Sequence, residues 1–150
     1  MSLTKVWGHL GLLIHRNHVR ALDGIRSAEE FRAILDRERA RSNRSGQSFS
    51  LVIFDLEDVN GDSGRVRRLA HVLSHRVRAT DEIGWFDERR IGVVLPYTAP
   101  DVAWKVPDDV CQMIATGALS PSYTVYTYPS RWMASGDTLE PQRRFAGISP

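Results

Sequence analysis

The sequence predicts an α+β domain in which helices pack on a sheet that contains an antiparallel hairpin. Three observations support this fold class. The chain of 150 residues is 42% hydrophobic and 25% charged, which is typical of one folded domain with a buried core. Apolar residues recur with helical and strand periods in the order helix, strand, helix, hairpin, helix, strand. A polar run from Asp87 to Arg90 separates two short apolar strands and predicts the hairpin turn.

The first helix and the first strand have distinct start and end signals. Ser27 and Glu30 have the spacing of a capping box, so the helix begins after Ser27, and its pattern ends near Gly46. The following segment, Ser48 to Asp55, contains a continuous apolar run. Such a run is typical of a central strand that is covered on both faces.

The second half of the chain predicts two helices and three strands. The first of these helices has its apolar residues spaced from Val66 to Val77. The strands are, in order, Ile83–Phe86, Ile91–Leu95 and Tyr123–Tyr128. The second helix is expected to begin with Thr98 as its N-cap, to kink or restart at Pro107 and to end at Gly117. We expect the helices to lie mainly on one face of the sheet.

Composition also predicts the domain boundaries of the chain and its cellular compartment. We expect an N-terminal segment at 1–26, the folded domain at 27–129 and a flexible tail or linker at 130–150, as in a fragment of a longer protein. Lys and Arg number 20 against 18 Asp and Glu, a balance that argues against a nucleic-acid partner. The single cysteine, Cys111, excludes an internal disulfide and behaves as a small buried hydrophobe. Because apolar stretches are far shorter than the roughly 20 residues that span a bilayer, the sequence predicts a cytoplasmic domain without direct membrane insertion.

Several segments together support a more specific interpretation. They are Arg39-Ala40-Arg41, Phe49 to Glu57, Arg78-Ala79-Thr80-Asp81 and Val93-Val94-Leu95-Pro96. In their order and spacing they resemble the GGDEF (diguanylate cyclase) family over about residues 28–128. The resemblance implies a nucleotide-cyclase-like, ferredoxin-like sheet that carries the family signature on its hairpin.

The resemblance also implies an activity for which several residues are missing. The family builds cyclic di-GMP from two GTP, and its divalent metal is held by carboxylates that match Asp55 and Glu57. The five signature positions are degenerate here: they are Asp87, Glu88, Arg89, Arg90 and Ile91. Two carboxylates replace glycines that let the nucleotide approach the backbone, and Arg90 replaces the metal-binding glutamate. A guanidinium has no lone pair to offer a cation. The segment after Asp55 that would recognise guanine is also shortened.

These departures predict an inactive domain. We expect no catalytic residues, no resident metal and no cofactor, with Asp55 and Glu57 as a vestigial metal position. Since the first-strand aspartate and the hairpin residue converge in the family, we also expect a direct ion pair between Asp55 and Arg90.

One ligand site of the family matches in full. Arg78-Ala79-Thr80-Asp81 has the residues and the spacing of the inhibitory Arg-x-x-Asp site, at which cyclases bind their product. Arginine can fork onto a phosphate, and aspartate can accept a hydrogen bond from guanine. In the structural alternative, which the sequence favours, Arg78 lies in the last turn of a helix and Asp81 satisfies backbone donors at a turn.

Other chemistry-bearing residues are better explained by structure than by ligand binding. Asp58 and Asp62 add charge to a loop that is expected to be solvated. His71 and His75 have the i, i+4 spacing of a metal pair, but without an adjacent cysteine or carboxylate we favour surface histidines. The basic residues expected on a solvated helix face are Arg65, Arg67, Arg68, Arg76 and Arg78. The aromatic residues that offer a contact surface or, more commonly, serve packing are Tyr123, Tyr126, Tyr128 and Trp132.

The predicted function is a catalytically inactive GGDEF-like module with a regulatory or protein-interaction role in a larger bacterial protein. The segments Tyr126 to Trp132 and Trp104-Lys105-Val106 resemble accessory domains that precede bacterial polyprenyl-phosphate sugar transferases. This second resemblance points to exopolysaccharide synthesis or signalling. The expected partner is a fused or neighbouring protein domain. A second copy of the chain, in a homodimer, is the alternative partner.

Two alternatives from other functional classes also stay open. The first is a sensor that binds cyclic di-GMP through Arg78 and Asp81. The second is a divergent metal-dependent nucleotidyl transferase or phosphohydrolase centred on Asp55 and Glu57.

Overall fold

The structure is a computed structural model that describes residues 24–56, 63–114, 121–129 and 142–144. The elements are, in order, α1 (Ala28–Ser45), β1 (Phe49–Asp55), α2 (Ser63–Arg76), β2 (Glu82–Trp85), β3 (Arg90–Pro96), α3 (Pro100–Ala103), α4 (Lys105–Ile114), β4 (Ser122–Tyr128) and β5 (Gln142–Arg144). The predicted α+β class and the predicted hairpin are confirmed. Among the described residues, no helix is long and apolar enough to cross a bilayer.

The strands form one five-stranded sheet in the order β2-β3-β1-β4-β5. Each pair of neighbouring strands in this sheet is antiparallel. The central strand is β1, which pairs with β3 from Phe49 opposite Pro96 to Asp55 opposite Arg90. Because side chains alternate along a strand, the apolar run of β1 supplies both faces of the sheet.

Helices cover both faces of the sheet, which corrects the expectation that they lie mainly on one. On one face α1 buries Phe31, Ile34 and Leu35 against Leu51 and Ile53 of β1. On the other face α2 and α4 pack on the alternate residues of β1; the buried residues there include Val52, Phe54, Leu69, Leu73 and Val110. A strand that is apolar at every position requires such cover on both sides.

Two facing glycines allow α1 to approach the sheet closely. Gly84 of β2 lies opposite Gly92 of β3, and the ring of Phe31, which is 0% exposed, rests on this pair. A Cβ atom at Gly92 would lie 2.6 Å from Cε1 of Phe31, and one at Gly84 would lie 2.7 Å from its Cγ. Real Cβ atoms do not approach so closely, so either side chain would displace the ring.

The end signals of α1 act as predicted. Glu30 N–H donates to the Ser27 side-chain oxygen at 3.2 Å, and Ser27 N–H donates to the Glu30 carboxylate at 2.9 Å, which completes the capping box. Gly46 ends the helix with φ 70°, a conformation that glycine adopts without a Cβ clash.

The helix after β3 differs from the prediction at its start. Thr98 is not the N-cap: Ala99 holds that position without a side-chain hydrogen bond. Instead the Thr98 hydroxyl donates to Pro96 O at 3.0 Å, and the buried Ser50 hydroxyl donates to Thr98 O at 2.8 Å. The helix restarts earlier than predicted: α3 and α4 are separated at Trp104, and Pro107 is the third residue of α4, in the first turn of a helix where a missing N–H is tolerated.

The folded unit extends past both ends of the predicted domain. Ile25 is 7% exposed in the core, and Arg26 N–H donates to Ile83 O at 2.9 Å at the edge of β2. Within the predicted tail, β5 pairs with β4, with Arg144 opposite Tyr123. Sequence reasoning placed both stretches outside the domain because neither has a hydrophobic period of its own.

Candidate functional site

The candidate site lies at the sheet end where β1 finishes. Asp55 is the last residue of β1 and sits between Arg90 of β3 and Ser122 of β4. Directly opposed residues of an antiparallel pair project from the same face of the sheet. The strand register thus places Asp55 opposite Arg90, and the expected direct ion pair between them stays a prediction. Glu57, like Asp58 and Asp62, lies outside the described residues.

Arg90 has an ion-pair partner that the sequence did not predict. The Asp87 carboxylate accepts from Nε of Arg90 at 2.6 Å and lies 2.5 Å from its Nη2. The second Asp87 oxygen accepts from Arg89 N–H at 2.9 Å, and the Arg90 guanidinium carbon lies 4.8 Å from the Phe86 ring centroid. The Asp87 carboxylate thus binds both Arg89 and Arg90 and connects the residues of the hairpin turn.

The other positions that align with the signature differ in their exposure to solvent. Glu88 and Arg89 are exposed in the turn, whereas Ile91 is 0% exposed in the core. Leu56 N–H donates to Arg89 O at 3.0 Å, which ties the turn to the end of β1. Within the described parts of the chain, no group of three or more His, Cys, Asp or Glu side chains is placed to hold a metal ion.

The Arg-x-x-Asp segment forms a turn rather than the end of a helix. Because α2 ends at Arg76, Arg78 lies beyond the predicted last turn. The Asp81 carboxylate accepts from Arg78 N–H at 2.8 Å, and Asp81 N–H donates to Arg78 O at 3.0 Å. Burial raises the pKa of Asp81, and the hydrogen bond from Arg78 N–H partly offsets that rise.

We predict that Asp81 acts on stability through this turn. Asp81→Ala removes the acceptor and should lower the free energy of unfolding by about 1 kcal/mol. Asp81→Asn keeps an acceptor oxygen without the cost of burying a charge, so at pH 7 it should match or slightly exceed the wild type. Because the folded-state pKa of Asp81 is raised, the small advantage of Asn should shrink as the pH falls and the carboxyl group becomes protonated. Urea unfolding at pH 7 and at pH 4 measures both differences, and equal losses in Ala and Asn would contradict this role.

The remaining candidates are distributed over helix surfaces and the core. His71 and His75 are both exposed on α2. Arg76 of the predicted basic face pairs with Asp109 of α4, with Nη2 2.6 Å from the carboxylate. Cys111 is buried, as predicted, and burial raises the pKa of its thiol to about 11. Tyr123 and Tyr128 are also buried, while Trp132 lies outside the described residues.

Asp87 is the residue that sequence reasoning missed. In alignment with the signature it is only a carboxylate in the place of a glycine. Its i, i+3 spacing to Arg90 is visible in the sequence and could have indicated the pair. In a hairpin, however, the strand register decides whether such residues meet.

The fold matches solved GGDEF domains. The GGDEF domain of DgcB from Caulobacter crescentus, solved in complex with c-di-GMP, is similar with TM-score 0.61 and 16% identity over 73% of this chain and 80% of that one. The active GGEEF domain of a diguanylate cyclase from Vibrio cholerae is similar with TM-score 0.60 and 16% identity over 69% of this chain and 76% of that one.

A third similar structure contains a protein partner. The diguanylate cyclase SiaD from Pseudomonas aeruginosa, in complex with its activator SiaC, is similar with TM-score 0.59 and 22% identity over 83% of this chain and 55% of that one. No protein-family model and no curated protein matches the chain. At these identities the likeness establishes a GGDEF-like fold, and the predicted resemblance is confirmed at that level.

Proposed function

We propose that this GGDEF-like domain is a catalytically inactive module with a regulatory or protein-interaction role. The observation that carries the proposal is the ion pair between Asp87 and Arg90 at the sheet end next to Asp55. Both residues occupy signature positions, and they bind each other instead of presenting ligands to a metal.

The charges at this sheet end oppose the family's chemistry. Arg90 brings a permanent positive charge to the strand position opposite Asp55, where the family has a metal-binding carboxylate. A divalent ion held by Asp55 would therefore lie close to a cation. Asp87 and Glu88 add negative charge where the family's glycines accommodate a triphosphate. A metal ion at Asp55 and a triphosphate at the turn would therefore each meet a neighbouring group of like charge.

We expect the purified chain to make no cyclic di-GMP from GTP with either Mg²⁺ or Mn²⁺. The reason is that the metal-binding glutamate is replaced by Arg90 and the guanine-recognising segment is shortened. Chromatographic detection of nucleotides after a long incubation measures this, with an active diguanylate cyclase assayed in parallel. Product above the protein-free blank that disappears in Asp55→Ala would contradict the proposal and support the alternative of a divergent nucleotidyl transferase.

The partner in this proposal is a fused or neighbouring protein domain. This partner is supported by the combination of a GGDEF-like fold with Asp87, Glu88 and Arg90 at positions where the family has its glycines and its metal-binding glutamate. Exopolysaccharide synthesis is the process to which the resemblance of the Tyr126 to Trp132 segment points. Expression with the adjoining domain, followed by measurement of that domain's activity with and without this module, tests the regulatory role.

A second function, the sensing of cyclic di-GMP through Arg78 and Asp81, is favoured by one observation. The Arg78 side chain is exposed beside the Asp81 turn, so its guanidinium is accessible to a ligand. If the site binds, calorimetry should give micromolar affinity, about −8 kcal/mol, and Arg78→Ala should abolish most of it. Arg67→Ala, which removes another exposed arginine, is the matched control. No heat at high ligand concentration would leave Arg78 and Asp81 with a structural role alone.

A further inference from the structure

We propose that His71 and His75 form a surface site for a divalent transition-metal ion of the zinc, nickel and copper group. The two residues lie one turn apart on α2, both exposed, with ring centroids 4.3 Å apart. The sequence alone favoured unrelated surface histidines, and the contacts of the two rings are the reason for revising that interpretation.

The hydrogen bond of His75 defines which of its ring nitrogens can bind a metal. Its Nδ1 lies 2.8 Å from the main-chain oxygen of His71. A carbonyl oxygen only accepts hydrogen bonds, so Nδ1 must carry the proton, and in the neutral ring the lone pair is on Nε2. Metal-binding histidines are commonly oriented in this way, with one ring nitrogen donating to a backbone carbonyl while the other binds the ion.

The distance between the two rings also suits a shared ion. Two imidazole nitrogens bound to one tetrahedral zinc ion at about 2.0–2.1 Å lie about 3.3 Å apart from each other. The ring centroids lie 4.3 Å apart on adjacent turns of one helix, so one nitrogen of each ring is within reach of a shared ion. Two protein ligands leave the remaining coordination positions to water, so the ion is exchangeable.

The surroundings determine which ions are suitable. Arg67 and Arg68 lie one turn before His71 and disfavour any cation that is held by charge alone. Ions that form strong bonds to imidazole can overcome this repulsion, whereas Mg²⁺ and Ca²⁺, which prefer oxygen ligands, cannot. The site is therefore expected to discriminate between these two groups of metals.

Zinc titration of the full chain tests the proposal. The chain has five histidines, so the reference protein carries His9→Gln, His15→Gln and His18→Gln and retains only the pair on α2. We expect one zinc ion per chain, with the imidazole signals of both remaining histidines shifting in NMR spectra. His71→Gln and His75→Gln should each weaken binding about tenfold or more. Both positions are exposed, so thermal melts in EDTA should stay unchanged.

Three results would overturn the proposal. The first is zinc binding that is unchanged in the His71→Gln, His75→Gln double variant. The second is a loss of binding in only one of the single variants, since a pair requires both ligands. The third is displacement of zinc by an equal concentration of Mg²⁺.

Discussion

Phe31→Ala is expected to lower the free energy of unfolding by about 3–5 kcal/mol. The ring is fully buried between α1 and the glycine pair of β2 and β3, and alanine would leave a cavity there. Because the backbones of Gly84 and Gly92 belong to a paired sheet, they cannot move far enough to fill it. Denaturant unfolding followed by circular dichroism measures the loss.

The glycines provide the reciprocal test of this contact. Gly92→Ala places a methyl group against the Phe31 ring and should cost about 1–3 kcal/mol by overpacking. In the Phe31→Ala background the same change should cost much less, since the clashing ring is gone. Equal costs of Gly92→Ala in both backgrounds would show that the glycine acts through strand propensity instead of through Phe31.

Arg90→Glu is expected to lower the free energy of unfolding by about 2–3 kcal/mol in the presence of EDTA. The change removes the partner of Asp87, whose side chain is only 11% exposed, and sets a third carboxylate beside Asp87 and Asp55. The same change supplies the carboxylate that the family uses for metal. Mn²⁺ should therefore raise the melting temperature of Arg90→Glu and leave that of the wild type unchanged.

Arg89→Glu is the matched control for this experiment. It makes the same change in charge one residue away, on an exposed side chain. It should cost well under 1 kcal/mol, in the range of a surface substitution, and confer no Mn²⁺ dependence. A similar Mn²⁺ effect in Arg89→Glu would mean that the hairpin attracts cations by net charge and that position 90 is not a specific metal position.

Local features of this fold were predictable because their causes are local. The capping box of Ser27 and Glu30, the stop at Gly46 and the hairpin at Asp87 to Arg90 each depend on a few neighbouring residues. The residues that align with the family signature, on which the proposal of an inactive domain rests, are likewise read from the sequence alone. These features account for the predicted class and for the expectation that catalysis is lost.

The sequence by itself thus determined the order of the elements from α1 to β4 and the resemblance to the GGDEF family. Only the tertiary structure decided that α1 covers the second face, that Phe31 rests on two facing glycines and that Asp87 holds Arg90. Each of these depends on which residues strand pairing and helix packing bring together. A hydrophobic period identifies a buried side, but it carries no information on which distant residues that side will meet.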